Sequence, residues 1–427
     1  MTEPSLTTLI GEEIQGRDKW WDFVDGKDGF FYGIPSNARR VVKFNPLDKS
    51  LTEIGPDLGE GHCKWWCGVR ATNGKIYCAP LFSNHILKID TIQGTVEILD
   101  DIELPETGDY LWASGAAQDN NIYYMPHRAR RIMRLNTDND TLSSVGDDLG
   151  EGGLKYRGTV VGNDDCVYGI PYQATHIVKF DRTNPDSTSA VGEENKLGFY
   201  CRNGVLGGDG YIYAANGAGQ VLKVDTRPTS NSNSYAWIGD RIYDSDRGFE
   251  WGDPVVGVDK CIYWPPFNAN RVLKFDPETQ QLPSLVGDDL GGGRFKWQGG
   301  ALATDEAIYC IPACSATQIL VIDPFKELAM TIQNNIIKYP KELGWLFAKK
   351  DDGGCNETFY GSAVRKFGIE KVFKLLFEEC LPSDKEWANT RSGNLPLFMV
   401  AASSCESCTA VSVIYHLLRR NVHDVIT

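Results

Sequence analysis

The chain has 427 residues, 42% of them hydrophobic, with 43 basic against 57 acidic side chains and a formal net charge of −14 at pH 7. That balance opposes non-specific adhesion to nucleic acid or anionic lipid, and no apolar run approaches the roughly 18 residues of a membrane span. The Met-Thr-Glu-Pro start lacks the basic and apolar regions of a secretory leader, so the expected location is cytoplasmic.

In chain order, residues 6–10 form a short apolar stretch, and seven similar units follow. Each has a turn Asp or Asn, an apolar strand ending in Tyr, a small loop, and an alternating strand with Lys and Asp. The anchors are Tyr32, Tyr77, Tyr123, Tyr168, Tyr213, Tyr263 and Tyr309, spaced by 45, 46, 45, 45, 50 and 46. Four residues before each stands Asp28, Asn73, Asp119, Asp164, Asp209, Asp259 or Asp305, side chains that stabilise a tight turn by bonding local backbone. In the second unit, residues 65–71, 75–80, 85–90 and 95–99 read as four strands, the first two joined by Asn73-Gly74. A repeat of this length and pattern predicts a mainly β, seven-bladed propeller over residues 1–324. No outer strand follows Ile322-Asp323-Pro324, so residues 6–10 are expected to complete the last blade and hide its edge. The longer fifth spacing predicts a bulge at 226–235, where Arg-Pro-Thr-Ser-Asn-Ser-Asn-Ser reads as a hairpin tip.

Residues 325–427 change to helical periodicity, with expected helices at 325–337, 340–348, 363–380 and 410–420. Thr358, Ala363, Val372, Leu375 and Leu376 resemble one ankyrin repeat, and the run from Leu395 to Ala401 resembles a second. Gly361 and Phe398 stand where that family has His. Two such units are too few for a free-standing stack, so this segment is expected to pack against the propeller or another chain. Cys405 and Cys408 have metal or redox spacing, but no second pair or flanking His completes a site. Cys166 and Cys261 share one repeat position with Phe30, Lys75 and Ala307, which marks small strand residues rather than a disulfide framework.

Ile262-Tyr263, followed by the strand ending Phe275-Asp276-Pro277, loosely resembles kelch-like and virginiamycin-lyase-like propellers. Pro replaces the kelch Gly pair, and no His and carboxylate set maps onto the metal sites of the lyase-like enzymes. The combination of Gly-Asp-Asp-Leu-Gly, Lys-Trp and Ile-Tyr-x-Ile-Pro resembles tandem-repeat proteins of algae and other protists more closely. These resemblances imply a fold and no activity.

Two constellations are candidates for binding. Loops between second and third strands carry Arg39, Arg40, His85, His127, Arg128, Arg130, Arg131, His176 and Arg271, a rim suited to an anion or carboxylate. The same cations can instead neutralise nearby acidic loops at Asp57, Glu60, Asp148 and Glu151. Trp20, Trp65, Tyr156, Trp251 and Trp297 stand twelve residues before their anchors, with Trp21, Trp66 and Trp112 beside that column. Rings there either line the mouth of the channel or pack blade on blade. No phosphate-binding loop, His-Glu-x-x-His or nucleophile elbow is present. The expectation is a non-enzymatic scaffold that binds a protein partner, acidic where the rim engages it, with no cofactor. The alternatives are a hydrolase or lyase using His85, His127 or His176 beside a rim carboxylate, and a carbohydrate or small-ligand binder using the aromatic mouth.

Overall fold

A computed structural model describes residues 5–16, 19–195, 199–228, 234–242, 250–338 and 359–376. Thr7–Asp323 is one compact unit built of seven four-stranded antiparallel sheets, the blades of the expected propeller. Blade 1 runs from its inner strand Trp20–Asp25 through Phe31–Pro35 and Val41–Phe44 to Leu51–Ile54. The next four inner strands are Trp65–Arg70, Trp112–Gln118, Tyr156–Val161 and Cys201–Leu206. Blade 6 has the short Val255–Val256, and blade 7 has Trp297–Leu302. The ring closes as the sequence predicts, since Thr7–Ile10 pairs antiparallel with Ile319–Ile322, Thr7 opposite Ile322 and Ile10 opposite Ile319. Thr7 Oγ1 also accepts the Asp288 N–H at 3.0 Å, tying the closing strand to blade 6.

The repeated Tyr and Asx work as a pair. Tyr32, Tyr168, Tyr213, Tyr263 and Tyr309 donate their hydroxyls to Asp28, Asp164, Asp209, Asp259 and Asp305 at 2.6–2.9 Å. The other oxygen of Asp28, Asp164, Asp259 and Asp305 accepts the N–H two residues on. Each buried tyrosine is thereby satisfied while fixing the hairpin that starts its strand. The residue after the Asx is left-handed, with φ of +83° at Gly74 and +63° at Lys260. Blade 3 departs from this pattern because its hairpin is one residue shorter: Asp119 itself takes φ +50° and forms an ion pair with Arg182.

The core lies between blades. Tyr77, Ala79 and Ile86 of blade 2 cluster with Trp112, Tyr124 and Met133 of blade 3, and Phe23, Phe31 and Phe44 of blade 1 with Tyr309 and Ile311 of blade 7. Each fully buried aromatic side chain contributes about 2–3 kcal/mol through removal of its apolar surface from water. Cys67, Cys78, Cys166, Cys201, Cys261 and Cys310 are buried, used as small apolar residues.

The second unit holds α1 (Pro324–Lys338), α2 (Phe359–Phe367) and α3 (Ile369–Lys374). The continuous helix expected from residue 363 is instead broken at Gly368, φ +84°. The Phe325 and Phe367 rings meet at 5.5 Å. Among the described residues no helix is long and apolar enough to cross a membrane. The expected helices at 340–348 and 410–420, the second ankyrin-like copy, and Cys405 and Cys408 lie outside the described residues, as does the tip 229–233 of the fifth-unit insertion.

Candidate functional site

All inner strands start at the face where two sets of loops meet, and backbone capping makes that face rigid. Asn37 Oδ1 accepts the Cys63 N–H at 2.7 Å, Gln173 Oε1 that of Leu154 at 3.1 Å, and Asn268 Oδ1 that of Phe295 at 3.0 Å. Each link joins a second-to-third-strand loop to an outer-to-inner loop, that of the next blade for Asn37 and Asn268 and that of its own blade for Gln173. Beneath the Gly-rich loops, the ammonium group of a lysine just before the inner strand gathers the loop carbonyls. Lys296 Nζ donates to the carbonyls of Ala269, Gly291 and Gly293 at 2.7–3.0 Å, and Lys155 Nζ to Gly150 and Gly152 at 3.1 and 3.2 Å. Burial lowers the pKa of Lys64, Lys155 and Lys296 from the ordinary lysine value. The Lys-Trp dipeptide and the Gly-Asp-Asp-Leu-Gly loop are thus one structural device.

The expected rim cations fall into different environments. Arg39 pairs with Asp57 and Glu60, and Arg130 with Asp148 and Glu151, all exposed pairs of the neutralising kind. Arg40 and Arg131 donate to the Gly55 and Gly146 carbonyls. Arg271 is exposed, and Arg128 lies 5.0 Å over the Tyr110 ring. His85 and His176 are half-buried, His176 Nδ1 lying 3.1 Å from Thr175 Oγ1. His127 is not on the rim surface. It is 2% exposed, its Nδ1 2.8 Å from the Tyr156 carbonyl, which can only accept, so Nδ1 carries the proton. Burial first, then the Arg157 charge, pull its pKa down to about 3, so the ring is neutral at physiological pH.

The aromatic column is mostly structural. Trp20, Trp65, Trp251 and Trp297 are buried and donate their indole N–H to the carbonyls of Arg40, His85, Arg271 and Gln318 at 2.9–3.1 Å. Trp112 belongs to this column, not the one beside it: it pairs with Pro126 as Trp20 does with Pro35, and donates to Arg131 O at 3.2 Å. The shorter hairpin of blade 3 shifts the sequence count by one. Tyr156, also buried, occupies the column in blade 4 opposite Pro171.

One residue further along each inner strand the repeat stops repeating. The seven residues there are Trp21, Trp66, Ala113, Arg157, Arg202, Gly252 and Gln298, and the next positions include Asp22, Asn203 and Asp253. Where blade 3 offers only Ala113, Arg157 of blade 4 reaches the Trp66 ring of blade 2 at 4.4 Å, and Tyr172 lies 5.6 Å from it. Arg202 lies 4.0 Å over Phe267 and, across Gly252, donates to Gln298 Oε1 of blade 7. A Cβ at Gly252 would fall 2.0 Å from the Gln298 carbonyl oxygen, so that position has to be glycine. Gln298 Nε2 donates to Asp253 Oδ1 at 3.1 Å, and Asp22 accepts the N–H groups of Phe23 and Gly68 at 2.8 and 3.0 Å.

Of this axial layer the sequence pointed to the rings Trp21 and Trp66 as candidates for the channel mouth, but not to Arg157, Arg202 or the carboxylates one residue deeper. Asp22 and Asp253 are half-buried. Burial, then repulsion from Asp253, push Asp22 up to about 7; burial also raises Asp253, opposed by Arg202 and Arg157. Burial pulls Arg157 down to about 10, leaving it cationic at neutral pH. Among the described residues no group of three or more His, Cys, Asp or Glu is placed to hold a metal ion.

The fold is that of a seven-bladed β-propeller closed by its N-terminal strand. Among solved structures it is similar to a streptogramin B lyase, with a TM-score of 0.60 and 14% identity over 75% of this chain and 98% of that chain. A catalytically inactive virginiamycin B lyase from Staphylococcus aureus with quinupristin gives 0.60 and 13% over 74% and 98%. The extracellular domain of a hybrid two-component system from B. thetaiotaomicron gives 0.53 and 11% over 72% and 41%. At these identities the likeness shows the fold alone. No family model and no curated protein matches the chain.

Proposed function

We propose that this chain is a non-enzymatic binding protein that engages a protein partner with the loop-bearing face of its propeller. The observation that carries this is an aromatic and cationic stack fixed at that face. Phe82, 39% exposed, meets the Tyr110 ring edge-on at 4.5 Å, and the exposed Arg128 guanidinium caps that ring. The backbone holds all three, as Tyr110 N–H donates to Leu81 O at 2.9 Å and Arg128 N–H to Tyr110 O at 3.0 Å. Tyr, Arg and Phe presented rigidly are the residue types that dominate interface energies, because little side-chain entropy is lost when they are covered. The fitting partner has an apolar anchor with an acidic group beside it. Paired Phe82→Ser and Arg128→Glu variants are expected to lose most of the wild-type capture of a partner from native extract, with unchanged melting. Equal capture by wild type and variant would overturn the reading.

A second reading rests on His127. Its neutral ring feels the charge of Arg157, which in turn feels that of Asp253, so an acid–base group and a carboxylate lie within electrostatic reach of one guanidinium. The lyase neighbours make quinupristin a reasonable first substrate. Turnover abolished by His127→Gln in a folded protein would support a lyase or hydrolase, and no change in quinupristin would dispose of that substrate.

A further inference from the structure

We propose that the axial mouth is a receptor for one carboxylate on a planar or apolar body, bound by Arg157, Arg202 and the indole N–H of Trp21. It uses different residues from the partner-binding stack, so the two fail independently. Trp21 links the two guanidinium groups: its ring meets Trp66 edge-on at 4.9 Å and Phe267 at 5.8 Å, the two rings on which Arg157 and Arg202 lie. Trp21 is 7% exposed, and its Nε1 is buried with no acceptor among the described residues. An indole N–H only donates, and leaving one buried without an acceptor is unfavourable, so the position favours an acceptor from a ligand. A guanidinium over a ring uses its face there and donates with its edge, in a fork that matches a carboxylate, and Arg202 shares that edge with Gln298.

The charge of the ligand follows from the layer below. Asp22 and Asp253 stand one residue deeper along their inner strands, so a second or third negative charge on the ligand meets carboxylates as well as guanidinium groups. That arrangement favours a monoanion over phosphate. Trp66, half-buried, with Tyr172 and Phe267 nearby, supplies apolar wall for the rest of the ligand.

The test is calorimetric titration of the full chain with benzoate, with benzamide as its neutral isostere, and with inorganic phosphate. Benzoate is expected to bind at least tenfold more tightly than either. Trp21→Phe keeps a ring and removes the N–H, and is expected to weaken benzoate about tenfold with unchanged circular dichroism, while Phe82→Ser leaves it unaltered. A short peptide with a free C-terminal carboxylate, compared with its amide, assigns the source. Tighter binding than benzoate points to a chain terminus, and weaker binding to a small molecule. No heat with millimolar benzoate, equal affinity for benzamide, or a Trp21→Phe protein that binds as wild type would overturn the proposal.

Discussion

Tyr168 and Tyr123 hold the same place in neighbouring blades, but Tyr168 donates to Asp164 at 2.8 Å, whereas Asp119 of blade 3 pairs with Arg182. Tyr168→Phe should therefore lower stability by about 1 kcal/mol in urea unfolding, and Tyr123→Phe by clearly less. Equal effects would mean that the Tyr–Asp bond adds nothing to ring packing. Two axial residues predict opposite pH behaviour. The His127 pKa is depressed on folding, so its contribution is present above about pH 6.5 and lost as the pH falls toward 3. His127→Gln keeps a donor for the Tyr156 carbonyl and should flatten that acid limb of the melting temperature. The Asp22 pKa is raised to about 7, so its contribution is present below its unfolded value near 4 and lost as the pH rises through 7. Asp22→Asn should accordingly raise the melting temperature at pH 8 and leave it little changed at pH 4.

At the scale of elements, the closing strand carries the clearest prediction. Thr7–Ile10 completes blade 7 without a covalent link, so deleting residues 1–12 exposes the edge of Ile319–Ile322 together with apolar surface. Stability should fall by several kcal/mol, read as an earlier urea midpoint, and an unchanged midpoint would contradict closure by this strand. The blades were legible in sequence because each Tyr, Asx and alternating strand answers a local demand of turn or pleat. The missing outer strand was legible because six complete copies show what the seventh lacks. The break at Gly368 was not, since helical periodicity on both sides of a glycine does not reveal a left-handed residue.

At the scale of the whole molecule, the charged part of the axial layer was hidden for a definable reason, although Trp21 and Trp66 were visible as candidates for the channel mouth. Its contacts join inner strands of non-adjacent blades, as with Arg202 and Gln298, 96 residues apart, and the shorter hairpin of blade 3 puts Trp112 in the wrong column when residues are counted from the anchor tyrosine. The usable signal was the column that fails to repeat, because identical blades need identical packing residues and a departure at one position marks a different task. The paired rim arginines show the converse, cations prominent in sequence that the fold has already neutralised. The claim that the loop-bearing face is where the molecule binds is tested most directly by placing the photo-crosslinker p-benzoylphenylalanine at Phe82 and, separately, at Ile92, which is 82% exposed in a third-to-fourth-strand loop on the opposite face. After irradiation in native extract, position 82 should give a discrete adduct that position 92 does not, whereas an adduct from position 92 alone would contradict the claim.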